Sequence, residues 1–319
     1  MFLFLLTCLL IHSISSKELQ ELNVIAAQFN SISNIDINIQ TMTKLIQTSS
    51  STAHIISFPE TSLTSYNASY IKTLSRETIT SAVQQLQTAC AQSNLYCIIG
   101  TPWWSNATSQ AVRQNAAVFI DNNGHLLGHQ PKTMLVGPDL SWADPGQTLH
   151  TFPITIDNNQ SITASIIICH DVRFAELVRL PVLRGARVVF YISWEQDDYA
   201  NGAFPHADEL TYRANVQARA FENRIYVVHS NALKNIKDPS AGSHGQSCVV
   251  SPIGRVVYEA SEQDTENVVV KLNMTQATAS YAREELNARS YLKAWWEEGM
   301  EKYVVPIESF HFQSHTPQP

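Results

Sequence analysis

Ten short runs rich in β-branched and aromatic residues recur along the chain, and this recurrence limits the fold more than any other feature. They lie at Leu22–Phe29, His54–Phe58, Leu95–Gly100, Ala116–Ile120, Ile162–Cys169, Arg187–Ser193, Arg224–Ser230, Ser247–Ser251, Arg255–Ala260 and Asn267–Leu272. Runs of this length and composition are strand signals. Helical patterns lie between them at Asn34–Ser50, Arg76–Gln92, Arg173–Leu183 and Asp208–Phe221. Asn34 stands where an N-cap is expected, and Ile79, Val83, Leu86 and Ala89 make one apolar face of the second helix. Asp121-Asn122-Asn123-Gly124 reads as a hairpin turn between two strands. Strands and helices alternate at first and strands cluster late, which implies a layered α/β fold with sheet covered by helices. No Pro/Gly/Ser-rich linker and no repeat divides the chain, so a single domain over 17–275 is expected, followed by an arm over 276–319.

At 319 residues, 44% hydrophobic and 15% charged, the chain has the profile of a globular protein with a sizeable core. A formal net charge of -7 and the lack of any basic run argue against nucleic acid or an anionic membrane as partner. Phe2–Ile11 is nearly unbroken apolar sequence, followed by small polar residues from Ser13 to Ser16. It is short for a membrane span and fits a secretory signal peptide over 1–16, so a secreted or luminal location is expected. Sequons at Asn67, Asn106, Asn159 and Asn273 suit a secreted glycoprotein, although composition alone yields about as many. Cys90 and Cys97 either pair or remain buried thiols.

Cys169 is the candidate nucleophile. It ends the strand Ser165-Ile166-Ile167-Ile168 and precedes the start of a helix. A thiol at such a turn sits beside helix N-terminal amides, which favour a thiolate and can hold an oxyanion. Position alone also fits a buried structural cysteine. The local sequence Cys169-His170-Asp171-Val172-Arg173-Phe174-Ala175-Glu176 is more specific. It closely resembles the nucleophile motif of the nitrilase superfamily, the carbon–nitrogen hydrolases, with Ala175 where proline is usual. Phe58-Pro59-Glu60 resembles that family's glutamate motif, and Gln130-Pro131-Lys132-Thr133-Met134-Leu135 its lysine motif, in the family order. Arg219-Ala220-Phe221-Glu222-Asn223 and Ser251-Pro252-Ile253-Gly254 resemble later family landmarks, so the likeness runs from about Leu22 to Leu272.

The resemblance implies a four-layer αββα sandwich, a homodimer or higher homo-oligomer, and hydrolysis of a small amide or carbamoyl compound without metal or organic cofactor. It implies Glu60 as general base, Lys132 as oxyanion partner and Cys169 as nucleophile. A second acidic residue falls at Asp139, where the family has the longer glutamate, with Asp144 as the fallback. Tyr66, His170, Trp194, Glu195, Phe204 and His206 are the expected substrate contacts. Three other readings stand beside this one. They are a nitrilase, a secreted binding protein that has lost catalysis, and a Cys–His protease using His206 or His229.

Overall fold

The computed structural model describes residues 19–105, 112–156, 160–195, 207–233, 243–262, 264–287, 289 and 291–307. The expected signal peptide over 1–16, the sequons at Asn106 and Asn159, Phe204 and His206 lie outside these residues. One mixed sheet has six strands: β1 (Glu21–Gln28), β2 (Ile55–Ser57), β3 (Tyr96–Trp104), β4 (Arg113–Ile120), β5 (Leu126–Pro131) and β12 (Glu266–Asn273), ordered β12-β1-β2-β3-β4-β5. The other has seven: β6 (Leu149–Ile156), β7 (Gln160–Ile168), β8 (Val188–Ser193), β9 (Tyr226–Asn231), β10 (Cys248–Val250), β11 (Val256–Glu259) and β13 (Val304–Pro306), ordered β11-β10-β9-β8-β7-β6-β13. In each, a parallel trio forms the centre, β1-β2-β3 in the first and β7-β8-β9 in the second.

Helices α1 (Ile35–Ser49) and α3 (Arg76–Ser93) cover the outer face of the first sheet, with the short α2 (Ala68–Thr73) between them in sequence. Helices α4 (Ala175–Leu183) and α5 (Ala207–Asn223) cover the second. The order is therefore helix, sheet, sheet, helix, the αββα sandwich expected. Alternation along single strands explains it. On β8, Val188, Phe190 and Ile192 face the core between the sheets, whereas Val189 and Tyr191 face the helices. On β3, Ile98 points to the intersheet core, and Cys97 and Ile99 point to α1 and α3. Both faces of these strands are buried, which is why their sequences read as continuous apolar runs.

The local signals act as their chemistry dictates. The Asn34 side chain caps α1 by accepting from Ile37 N, and Ser75 caps α3 by accepting from Thr78 N. At the β4–β5 hairpin, Asp121 Oδ1 accepts from the backbone of Asn123 and His125, and Gly124 takes φ 83°. Cys90 and Cys97 are buried free thiols.

Strands β5, β6 and β13 are absent from the ten sequence runs because His, Pro and Gly interrupt them (Gly128, His129, His150, Pro153, Pro306). The C-terminal arm also shows no clear period in sequence, yet it forms α6 (Ser280–Asn287) and α7 (Leu292–Tyr303). Their apolar stripes are short. On α7, Trp296 and Met300 pack with Leu177 and Leu180 of α4, and β13 then pairs in parallel with β6.

Phe119 ties the two sheets together, lying 5.8 Å from the Tyr96 ring and 4.8 Å from that of Phe152. Replacing it with alanine removes a large aromatic from a dry interior. Phe119→Ala is expected to cost about 3–5 kcal/mol in a denaturant titration.

Candidate active site

Strand ends of both sheets converge on one buried cluster. Glu60 follows β2, Lys132 follows β5, Cys169 follows β7 and Trp194 follows β8. The carboxyl ends of parallel strands are where open α/β sheets place their sites. Ser57 and Ser230, at the ends of β2 and β9, join the sheets there, with hydroxyls 2.7 Å apart.

Glu60 reaches its place because β3 leaves room. A side chain at Gly100 would meet Pro59 O at 2.2 Å and Glu60 Cα at 2.8 Å, so only glycine lets the two backbones pass. Lys132 Nζ lies 2.7 Å from Glu60 Oε1 and 2.8 Å from Asp139 Oδ2, and all three side chains are fully buried. Asn115 Nδ2, from β4, donates to both carboxylates, at 2.7 Å to Glu60 Oε1 and 3.0 Å to Asp139 Oδ1. Glu60 Oε2 accepts from the backbone N–H of Trp194 at 2.9 Å. Asp139 further accepts from the Tyr66 hydroxyl at 2.8 Å and from Val136 N at 3.1 Å.

Cys169 opens a single 3-10 turn, Cys169–Arg173, and takes φ 48°. That left-handed conformation is costly for a side-chain-bearing residue and is held by its surroundings. Asp171 supplies much of the hold. Its carboxylate accepts from Ile168 N, just before the thiol, and from Thr133 N and Met134 N, just after Lys132. One side chain thus fastens the lysine segment to the cysteine turn. Arg219, on α5, fastens the far side by donating to Val172 O and Arg173 O.

Two carboxyl groups and one amine are buried together here. Burial, reinforced by the negative charge of Glu60, pushes the Cys169 thiol well above its ordinary range against the pull of Lys132. Burial also raises Glu60, against the attraction of Lys132, and Asp139 raises it further. For Lys132, burial works against the charge but the surrounding anions outweigh it, and the ammonium is held well up. Burial thus favours the neutral thiol and raises the proton affinity of Glu60, while the neighbouring groups favour the ammonium of Lys132.

The family model for carbon–nitrogen hydrolases matches residues 24–282. The chain belongs to the carbon–nitrogen hydrolase family. It is 27% identical to a Staphylococcus lugdunensis protein described as a hydrolase in the agr operon, over 49% of this chain and 61% of that one. It is 26% identical to an omega-amidase of Mus musculus over 67% of this chain and 74% of that one. The chain thus spans less than two thirds of the staphylococcal relative's length. Among solved structures it resembles a Nesterenkonia amidase of the nitrilase superfamily at TM-score 0.69 and 20% identity, over 86% of this chain and 97% of that one.

Within this family frame, Glu60, Lys132, Asp139 and Cys169 meet in one place. Asp144, the fallback, is exposed. Tyr66 and Trp194 are part of the site wall, their rings stacked at 6.2 Å, and Lys132 Nζ lies 5.8 Å from the Tyr66 ring. The indole N–H of Trp194 is buried without a hydrogen-bond partner among the described residues. His170 is half-buried against Phe174, and burial together with Arg173 keeps it below the usual histidine range. The Glu195 carboxylate is fully buried and taken up by His244 Nε2 at 2.6 Å and by the Tyr191 hydroxyl. His229 contacts the Ser193 hydroxyl at 2.7 Å and stacks on Tyr191, and burial lowers it to about 3, which leaves it neutral.

Sequence reasoning missed Asn115 and the bracing role of Asp171. The Asn115 signal was a polar side chain amid the apolar residues of β4. Asp171 was visible only as a motif position. Asp171→Asn replaces one acceptor oxygen with a donor facing backbone N–H groups. It is expected to cost about 1–3 kcal/mol by denaturant titration and to slow alkylation of Cys169 in the folded protein.

Proposed function

We propose that the chain is an amidase-like hydrolase that cleaves the carbon–nitrogen bond of a small amide or carbamoyl compound through a thioester on Cys169. The observation that carries this reading is the fully buried Glu60–Lys132–Asp139 cluster acting on the Cys169 thiol. Its relatives include an omega-amidase and a 2-oxoglutaramate amidase of Bacillus subtilis. In one Nesterenkonia amidase structure, the acetamide moiety of fluoroacetamide is covalently added at the active-site cysteine.

The charges set the order of events. A thiol held protonated needs a base at the moment of attack, and Glu60 is the carboxylate whose charge acts most strongly on it. The thiol proton passes to Glu60 as sulfur adds to the carbonyl carbon. Negative charge then develops on the carbonyl oxygen, and the Lys132 ammonium with the backbone N–H of His170 stabilises it. Glu60 returns the proton to the departing nitrogen, releasing ammonia or an amine and leaving the acyl thioester. Water attacks next and gives a proton to Glu60. The acid leaves and the proton returns to sulfur. Asp139 holds Lys132 throughout, with Tyr66 and Asn115 behind it. We assign the buried indole N–H of Trp194, which has no hydrogen-bond partner among the described residues, to a polar group on the substrate's acyl portion.

Location is part of the same proposal. The apolar run Phe2–Ile11 supports secretion, and the exposed side chains of Asn67 and Asn273 are compatible with glycan attachment.

Ammonia release screened across small amides and ureido acids tests the chemistry. Cys169→Ala is expected to abolish it, and Glu60→Gln to lower kcat by about 10²–10⁴-fold with the fold intact by circular dichroism. Equal release by wild type and Cys169→Ala would refute the mechanism. Because Glu60 must be ionised to act as base and its proton affinity is raised, the acid limb of kcat/KM is expected to rise through a midpoint above the ordinary carboxylate range.

A further inference from the structure

Glu60 depends on a peptide group that is itself elaborately held. Its Oε1 is shared by Lys132 and Asn115, while Oε2 rests on the Trp194 N–H at 2.9 Å. Both neighbours of Trp194 are locked. On one side, Ser193 Oγ donates to Asn231 Oδ1 at 2.8 Å. On the other, Glu195 N donates to the same oxygen at 3.2 Å, and Ser243 Oγ donates to Glu195 O and to Asn231 Oδ1. The Glu195 carboxylate, fully buried, is gripped by His244 Nε2 at 2.6 Å and by the Tyr191 hydroxyl, with His229 at 3.8 Å. A carboxylate at this depth is expensive, and an apolar residue of similar size would suit the packing at lower cost. The pair joins the chain leaving β8 to the chain entering β10, at the point where the Trp194 amide must aim at Glu60.

We propose that Glu195, clamped by His244, is a positioning residue for Glu60, fixing the Trp194 peptide whose N–H orients the catalytic carboxylate. This rests on the amidase reading above. Glu195 touches no reacting atom. It acts through the next peptide, and its mate His244 sets where that peptide lies. The groups facing Glu60 in this arrangement are Lys132, Asp139, Asn115 and the Cys169 thiol. Of these, Lys132 and Asn115 favour its charge, as the Trp194 N–H also does. Losing that N–H makes Glu60 harder to ionise.

The test is the pH profile of kcat/KM together with alkylation of Cys169 by iodoacetamide, which needs no substrate. Glu195→Ala is expected to lower kcat about 10²-fold with KM within about 3-fold, as a misplaced catalytic group does. The acid limb is expected to move up by about 0.5 pH unit or more, with the alkylation profile following it. Glu195→Gln keeps an acceptor for His244 and should restore most of kcat and the wild-type midpoint. If Glu195→Ala does not fold, His244→Ala carries the same expectation. A limb that moves down in both Glu195 variants means the carboxylate acts only through its own charge, and overturns the proposal. An unmoved limb in a folded, slower enzyme means a scaffold role only, and also overturns it. Cys169→Ala runs alongside. Residual turnover there would sink the amidase reading itself, whereas a dead Cys169→Ala with an unmoved limb sinks only the role of Glu195.

Discussion

Lys132 is a fully buried ammonium, and much of the surrounding architecture exists to make that tolerable. An unpaired cation at this depth would lose its charge or unfold the region. Two carboxylates within 2.8 Å solve the problem for the lysine and create one for themselves. They need donors, and these arrive from separate parts of the chain. Asn115 comes from β4, Tyr66 from the segment before α2, Val136 N from the lysine loop and Trp194 N from the end of β8. These donors come together only when both sheets are stacked in register. Assembly of the fold and assembly of the site are therefore the same event.

Charge alone would not aim the thiol. The aiming is mechanical, and Asp171 and Arg219 do it from opposite sides of the Cys169 turn. Burial raises Asp171 to about 7, against the backbone N–H groups of Met134, Ile168 and Thr133 that favour its charge. The hydrogen bonds do not win outright, so the brace is itself close to a change of protonation near neutrality. Position, rather than charge, is what this carboxylate contributes.

Much of this was legible in the sequence. The parallel strands are apolar on both faces and announced themselves, as did the N-cap at Asn34 in its local setting. Glu60, Lys132 and Cys169 were legible because each sits in a local pattern that a short peptide can display. Asp139 was harder, since a side chain one carbon shorter than expected looked too short for its task. The 3-10 turn at Asp139–Ser141 brings its backbone close enough, and no feature of the sequence states that. Asn115, His244 and Tyr191 were invisible for a related reason. Their significance lies in partners far away in sequence, as when His244 meets Glu195 across 49 positions. The arm helices α6 and α7 were hidden by brevity, since a stripe of two or three apolar residues has no readable period.

Strand β13 carries a consequence beyond its few residues. Without it, β6 would be the terminal strand of the seven-stranded sheet, with a row of open N–H and C=O groups ready to template another chain. The arm covers that row and then makes a poor template itself. Ile307 N turns inward to Thr151 O, so by alternation position 306 turns outward, and there proline offers no donor at all. Among the described residues the sheet thus ends on a residue that resists strand addition, a guard against aggregation supplied by the C-terminal arm.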